Sequence, residues 1–219
     1  MSELGYAVDT TTHRIGTDDY RIRALLDRRQ YWDPDGDAKR AGISSASWPL
    51  FGLVWPAGLA LADEMSRFAL AGRSVVEIGC GLGIASLVLQ RRGAKITAID
   101  HHPLTEEFLR RNAALNDLPR IAFRRASWTS SHADLGLFDL IVASDVLYER
   151  GHPVEIAAFI ARHSMLTTEV IVADPGRAHC GRFLTAMRDE GYLSSERRRA
   201  FPGVGSASKM GRILRFVRE

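Results

Sequence analysis

The sequence contains little that would cross-link a small fold or hold a chain in a membrane. Only two of its 219 residues are cysteines, and neither Cys80 nor Cys180 lies in a Cys-x-x-Cys or Cys/His spacing. No apolar run approaches the roughly 20 residues of a membrane-spanning helix. The first twenty residues lack the basic start and apolar core of a secretory signal. We therefore expect a protein of the reducing cytoplasm, with no disulfide framework, no metal site at these cysteines and no membrane partner.

The sequence also has only a small excess of one sign of charge. Lysine and arginine number 29 against 26 acidic residues, a formal net charge of +3, and no block of five or six like charges occurs. The basic excess lies in short arginine clusters at 110–111, 124–125 and 197–199. A nucleic-acid-binding stripe is one interpretation. Solvated arginines on helix backs and edge strands are the favoured one, so we do not expect a nucleic-acid partner.

From residue 48 onward the chain alternates between two kinds of pattern. Short β-rich runs alternate with helical ones, and the last two β-rich runs have no helix between them. Alternation of this kind predicts an α/β fold, a doubly wound and mainly parallel Rossmann-like sheet of seven strands that ends in an antiparallel hairpin. The β-rich runs are 74–78, 95–100, 121–125, 138–144, 169–173, 192–200 and 212–217.

The first 47 residues are polar and only weakly periodic. We interpret residues 1–47 as an N-terminal extension with one helix near Asp19 to Gln30, and residues 48–219 as the main domain. A chain of this length suffices for one good core rather than two.

The strand at 74–78 runs into a glycine-rich turn, where ligands bind in open α/β sheets. The turn consists of Gly79, Cys80, Gly81, Leu82 and Gly83, and Glu77 precedes it. A dinucleotide fingerprint would need a third glycine at position 84, which is isoleucine. A carboxylate before the turn suits a cofactor that carries an ammonium and a sulfonium, and bare glycines let the backbone approach it. The alternative is a strand–helix turn that only packs.

Asp100 ends the next strand, and an acid at this place accepts hydrogen bonds from the two hydroxyls of a ribose. The alternative role is a helix N-cap. Two histidines follow; adjacent histidines on a loop point in different directions and make a poor metal site. We expect His101 to border the nucleoside and His102 to be solvated. Together, the turn and Asp100 predict a nucleoside cofactor, S-adenosylmethionine.

The fourth strand ends in Ser144 and Asp145, with Tyr148 three residues further on. Nucleic-acid amino-methyltransferases usually place two prolines between the outer acid and the aromatic residue, and this chain lacks both. Asp145 can orient an amine and Tyr148 can wall its channel; a helix cap and a core tyrosine are the alternatives. Trp128 is a candidate to cover an adenine face, and Trp55 to close the methionine end, although either ring could be core.

These residues resemble the seven-strand protein-lysine methyltransferases of methyltransferase family 16 over about residues 48 to 190. The resemblance rests on Trp55-Pro56-Ala57-Gly58, the turn from Glu77 to Gly83, Asp100, Trp128 and the pair Asp145 and Tyr148, which occur in the family's order. The run Asp174-Pro175-Gly176-Arg177 resembles the branch that methylates lysines of the electron-transfer flavoprotein β subunit.

The resemblance implies a sheet of order 3-2-1-4-5-7-6, a monomeric enzyme and an acceptor site at Asp145 and Tyr148. The family often has an acid before the adenine-side tryptophan, where this chain has Ser127, so that contact to the adenine amino group is in doubt. Two alternatives stay open: a small-molecule or nucleic-acid methyltransferase on the same fold, and a binding module without catalysis.

Overall fold

A computed structural model of the chain describes residues 6–27, 30, 33, 35–45, 48–70, 72–129, 133–203 and 208–218. Residue 47, the predicted end of the extension, lies outside them, as do residues 28 and 29 of the predicted N-terminal helix.

From residue 56 onward strands and helices mostly alternate. The strands are β1 (Val8–Ile15), β2 (Asp18–Leu25), β3 (Ser74–Ile78), β4 (Lys95–Asp100), β5 (Ala122–Arg125), β6 (Phe138–Ser144), β7 (Ser164–Asp174), β8 (Tyr192–Phe201) and β9 (Lys209–Arg218). The helices are α1 (Asp37–Arg40), α2 (Pro56–Arg67), α3 (Ile84–Arg91), α4 (Thr105–Leu115), α5 (His152–Arg162) and α6 (Cys180–Asp189). Short 3-10 turns occur at Trp48–Leu50 and Ala133–Leu135. In the part of the chain that the structure describes, only the second of these turns separates β5 from β6, and β8 and β9 follow each other directly.

The main sheet has seven strands in the order β5-β4-β3-β6-β7-β9-β8. Numbered from β3, this is the predicted order 3-2-1-4-5-7-6. Strands β3 to β7 pair in parallel, and the last strand, β9, runs antiparallel to both of its neighbours. The predicted fold class and the terminal hairpin are therefore confirmed.

Two hydrophobic cores lie on opposite faces of this sheet, because side chains alternate along a strand. Val75 packs into the core beneath α2, α3 and α4, whereas Val76 packs into the core beneath α5 and α6. The central parallel strands β3 and β6 are therefore buried on both faces, whereas the edge strand β5 is largely exposed, and the parallel strands end together at one edge. None of the helices in the described ranges is long and apolar enough to cross a membrane.

The predicted N-terminal helix near Asp19 to Gln30 is wrong. Residues 18–25 form strand β2, which pairs with β1 in an antiparallel hairpin outside the main sheet. The buried side chains Tyr20 and Ile22 alternate with Arg21 and Arg23, which is the period of a strand. The only regular helix that the structure describes before residue 48 is the single turn α1.

Two asparagines fasten this hairpin to the main domain: Asn112 in α4, and Asn116, the C-cap residue of the same helix. The side-chain amide of Asn116 accepts from the Arg21 N–H (2.8 Å) and donates to the Arg21 carbonyl (2.7 Å). Asn112, one turn earlier, accepts from the Arg23 N–H at 2.8 Å and also donates to the carbonyl of Leu82, in the glycine turn. The spacing of four residues places both amides on one helix face. They pair with the backbone of β2 much as a neighbouring strand would.

Candidate functional site

A cleft opens beyond the carboxyl ends of β3, β4, β6 and β7. It brings together nine of the twelve predicted site residues: Trp55, Gly79, Gly81, Asp100, His101, Trp128, Ser144, Asp145 and Tyr148. It also contains six residues for which the sequence predicted no place in the site: Ile43, Leu50, Phe51, His102, Val146 and Arg177. The wall that faces the strand ends is thus formed by Ile43, Leu50, Phe51 and Trp55.

The three glycines of the turn all have positive φ, between 52° and 73°, but they do different things. A β-carbon on Gly79 would lie 2.9 Å from Cγ1 of Val146, and one on Gly83 would overlap Cδ1 of Leu109. A β-carbon on Gly81 would have no neighbour within 4 Å. Gly81 therefore leaves bare backbone at the cleft, whereas Gly83 is required for packing α3 against α4.

Asp100 ties the end of β4 to this turn. Its Oδ2 accepts from the Gly81 N–H at 2.9 Å, and its Oδ1 accepts from the His102 N–H at 2.8 Å. The side chain is buried but lines the cleft. Each carboxylate oxygen has a further lone pair, so the group can accept additional hydrogen bonds.

Glu77 does not reach the cleft, contrary to the prediction that it would face a cofactor ammonium. It is 2% exposed, and its carboxylate accepts from both the backbone N–H (2.8 Å) and the hydroxyl of Ser86, in the first turn of α3. Burial raises the pKa of Glu77 to about 7. Its geometry is that of a support for the turn. Cys80 and Gly83 likewise do not line the cleft; Cys80 is buried, and its N–H donates to the Ile99 carbonyl.

The two histidines after β4 are placed differently. His101 is half-buried in the cleft, with its ring centroid 5.8 Å from that of Trp128. His102 was predicted to be solvated, and this is wrong. It is buried, and its ring stacks on Phe51 with centroids 3.9 Å apart and planes 4° apart. Burial lowers the pKa of His102 to about 3, so the ring is neutral. The stack joins β4 to the opposite wall.

Two tryptophans border the cleft at different places. Trp128 is buried, and its ring lies against Gly79, 3.3 Å from where a β-carbon would be. Trp55 is the N-cap residue of α2, and its indole N–H donates to the Leu50 carbonyl at 3.0 Å. Both rings are therefore fixed by packing or a hydrogen bond.

Asp145 lies directly after β6 in a left-handed conformation, φ 53°, which is uncommon for a residue other than glycine. Its N–H donates to the Ala173 carbonyl at 2.9 Å. Arg177 donates twice to its carboxylate, from Nε to Oδ1 at 2.6 Å and from Nη2 to Oδ2 at 2.9 Å. No pattern in the sequence predicts this pair, because the two residues are 32 positions apart.

Tyr148 stands beside Asp145 and is half-buried. Burial raises the pKa of the Tyr148 phenol, with smaller contributions in the same direction from the carboxylates of Asp100, Glu149 and Asp145. The buried ring of His152 lies edge-on to Tyr148 and Trp128, with centroids 4.6 and 5.0 Å apart. Nδ1 of His152 donates to the Val146 carbonyl at 2.8 Å, which fixes this ring between the two ends of the cleft.

The arginines of 197–199 are neutralised by neighbouring acids. Arg197 pairs with Glu64, Arg198 with Glu196, and Arg199 with Asp63. This stretch of β8 therefore carries ion pairs rather than a free basic stripe. Among the described residues, no cluster of three or more His, Cys, Asp or Glu side chains could hold a metal ion.

The sheet order and a cleft at the switch between β3 and β6 define a Rossmann-like protein with a nucleoside-type site. The family model described as "Lysine methyltransferase" matches residues 49–190. The chain belongs to this lysine methyltransferase family.

Relatives are similar over part of the chain. Protein N-lysine methyltransferase METTL21A of Xenopus tropicalis is 31% identical over 118 residues, which is 51% of each chain. The electron transfer flavoprotein beta subunit lysine methyltransferase of Danio rerio is 29% identical over 134 residues, 59% of this chain and 51% of the relative. The match thus spans about half the length of both relatives.

Among solved structures, the 16S rRNA N2 G1207 methyltransferase RsmC of T. thermophilus, in complex with AdoMet and guanosine, has a similar fold. The TM-score is 0.63 at 17% identity, over 99% of this chain and 52% of that one. This likeness concerns the fold alone.

Proposed function

We propose that the protein transfers a methyl group from S-adenosylmethionine to a lysine side chain of a protein substrate. The observation that carries the proposal is that one cleft is lined both by Gly81 and Asp100, which we expect to hold the nucleoside, and by Asp145 and Tyr148, which we expect to face the amine. Membership in the lysine methyltransferase family supports the same assignment.

The residues present fit the cofactor. The bare backbone at Gly81 leaves room for a ligand, and Asp100 beside it has lone pairs for ribose hydroxyls. Of the other predicted residues that line the cleft, we assign Trp128 to the adenine, with His101 at its border, and Trp55 and Ser144 to the methionine end. Glu77, Cys80 and Gly83 do not line the cleft and are assigned to holding the turn in shape. When bound, S-adenosylmethionine supplies a methyl group on a sulfonium, a good electrophile.

The protein must hold a neutral amine in line with that methyl group. Free lysine has a pKa of about 10.4, so neutrality near pH 7.4 costs about 4 kcal/mol. We assign to Tyr148, whose ring packs edge-on against His152, the shielding of the acceptor end from water, which favours the uncharged amine. Asp145 orients the amine through its fixed carboxylate. The lysine ammonium first releases one proton to solvent, and the nitrogen–carbon bond then forms as the sulfur–carbon bond breaks, so that the positive charge passes from sulfur to nitrogen.

The acceptor is a protein in this proposal, with the electron-transfer flavoprotein β subunit as the first candidate, because the Danio rerio relative acts on it by name. The absence of prolines between Asp145 and Tyr148, and the paired arginines of β8, argue against a nucleic acid. The extension contributes Ile43 to the cleft, and the Leu25 N–H bonds to the Gly52 carbonyl at 2.7 Å. The hairpin therefore supports the mouth through which a substrate enters. The predicted monomer and cytoplasmic location belong to the same proposal.

Incubation of the purified protein with tritiated S-adenosylmethionine and recombinant flavoprotein β subunit tests the assignment. We expect label on lysine, located by mass spectrometry, and a loss of at least about tenfold in kcat for Asp145→Asn, since a hydrogen bond to a charged group contributes about 1.5–3 kcal/mol. Asp189→Asn removes an exposed carboxylate of α6 and serves as the matched control. Label confined to small molecules would contradict the protein substrate. No cofactor binding at millimolar concentration by calorimetry would contradict enzyme function altogether.

A further inference from the structure

The turn after β7 places Arg177 against the acceptor end of the cleft. Asp174 is 1% exposed, and its carboxylate accepts from the backbone N–H groups of Gly176 (3.0 Å) and Arg177 (3.2 Å). Gly176 has φ 100°, which is readily available only to glycine. Arg212 of β9 pairs with the same carboxylate at 3.2 Å. The turn is therefore fixed on both sides before the Arg177 side chain begins.

From this turn the guanidinium of Arg177 reaches the end of β6 and bonds to both oxygens of Asp145. A two-bond pair of this kind fixes direction as well as distance. The Asp145 side chain is 11% exposed and that of Arg177 is 37% exposed, so the pair is only partly screened by solvent. The position of Asp145 is thus fixed in three ways: its backbone N–H donates to the Ala173 carbonyl, its backbone is left-handed, and its carboxylate is paired with Arg177.

The pair also sets the charge beside the acceptor. The charged and titratable groups around the pair and its neighbour Tyr148, from the loop after β6, are Asp100 from β4, Glu149 from the same loop, His152 from α5, Asp174 from the turn after β7, and Arg212 from β9. Most of the ionised groups in this set are acids. Without Arg177, Asp145 would be an unpaired anion next to the amine and would stabilise its protonated, unreactive form.

We propose that Arg177 is a positioning residue which, through its two-bond pair, orients Asp145 and neutralises its charge so that the acceptor amine loses its proton more readily. The inference rests on the proposed lysine methylation and deepens it. Arg177 acts through Asp145, and its effect is therefore expected to depend on pH.

The test is the pH dependence of kcat and KM between pH 6 and 10 for the wild type, Arg177→Gln, Arg177→Lys and the control Arg188→Gln, with the flavoprotein β subunit as acceptor. Arg188 is an exposed arginine of α6, so its replacement matches the loss of charge. We expect the acidic limb of kcat to move upward by about one pH unit in Arg177→Gln. Its kcat should fall about tenfold near pH 7 and recover toward pH 10, Arg177→Lys should lie between, and Arg188→Gln should match the wild type.

Two results would overturn the inference while leaving the proposed function intact: an unchanged profile in Arg177→Gln, or an equal loss at every pH with a lowered melting temperature, which would indicate a purely structural role. A wild-type protein that methylates no lysine would instead refute the proposed function, and the inference with it. Thermal unfolding of every variant separates loss of fold from loss of positioning.

Discussion

Alanine substitutions at two glycines of the same turn should separate packing from cofactor binding. Both Gly81 (φ 52°) and Gly83 (φ 73°) have left-handed backbones, which cost an alanine about 1–2 kcal/mol. At Gly81 nothing lies within 4 Å of the new methyl group. At Gly83 the methyl group overlaps Leu109, which is 2% exposed, and crowding of a packed core adds about 1–3 kcal/mol. We therefore expect Gly83→Ala to lower the free energy of unfolding by about 2–5 kcal/mol, and Gly81→Ala by about 1–2 kcal/mol.

Cofactor affinity should rank the two variants in the opposite order. Gly81 lines the cleft with bare backbone, so an added methyl group is expected to hinder the cofactor, whereas Gly83 does not line the cleft. Calorimetric titration with S-adenosylhomocysteine should show at least a tenfold weaker Kd for Gly81→Ala, a loss of about 1.4 kcal/mol. Folded Gly83→Ala should stay near the wild-type Kd.

Gly93→Ala is the matched control for strain, because Gly93 also has a positive φ of 75° with nothing within 4 Å, but lies outside the cleft. Urea unfolding and titration of all three variants give the comparison. Equal stabilities of Gly81→Ala and Gly83→Ala, or weaker binding in Gly83→Ala than in Gly81→Ala, would refute the assignment of Gly83 to packing and of Gly81 to cofactor binding.

Three further substitutions test the surroundings of the cleft. Burial raises the pKa of Glu77 from 4.5 to about 7. The free energy of unfolding of Glu77→Gln should therefore exceed that of the wild type by an amount that rises to about 3 kcal/mol between pH 5 and pH 8, measured by urea unfolding without cofactor. Asp100→Asn should weaken S-adenosylhomocysteine binding about tenfold in calorimetry, since a neutral acceptor bonds less strongly to hydroxyls than a carboxylate does. Asn112→Ala should lower the free energy of unfolding by about 1–3 kcal/mol and speed hydrogen exchange at the backbone amide of Arg23, its partner in β2.

The direction in which pH changes the stability of the wild type follows from proton uptake by Glu77. Between pH 4.5 and 7 the folded state binds more protons than the unfolded state, so the stability of the wild type falls as pH rises through this window and stays lower above it. Glutamine does not titrate, so the difference between variant and wild type should grow with pH. A pH-independent difference would contradict the raised pKa. Unchanged Kd in Asp100→Asn, or unchanged exchange at Arg23 in Asn112→Ala, would contradict the other two predictions.

Asp145 is the residue whose interpretation the structure changes most. As an isolated carboxylate it would favour a protonated lysine, which opposes methyl transfer. Paired with Arg177, it keeps its directional hydrogen-bonding capacity and loses most of its net charge effect. The pairing thus reconciles an acid at the acceptor end with a reaction that needs a neutral amine.

The sequence alone determined the sheet, the cleft and most of its lining. Alternating β-rich and helical runs leave few topologies, because connections between parallel strands are short and right-handed. Parallel strands end at one edge, so residues that follow β3, β4 and β6 had to meet there, as Gly81, Asp100 and Asp145 do. Two features of the sequence pointed to the observed structure. Tyr20 and Ile22 have the period of a strand rather than of the predicted helix. Glu77 lies two residues after Val75, so its side chain points to the sheet face that α3 covers.

Only the tertiary structure decided which side chains pair across that edge. The distance between Asp145 and Arg177 depends on the adjacency of β6 and β7 and on the turn that Asp174 fixes. The burial of His102 depends on Phe51, which arrives from the opposite wall. Local patterns report the backbone period and the direction of neighbouring side chains, whereas ion pairs and ring stacks between distant segments depend on side-chain packing in three dimensions. For this reason the sequence could predict that Asp145 and Tyr148 line the cleft, whereas the fold determined the charge around them.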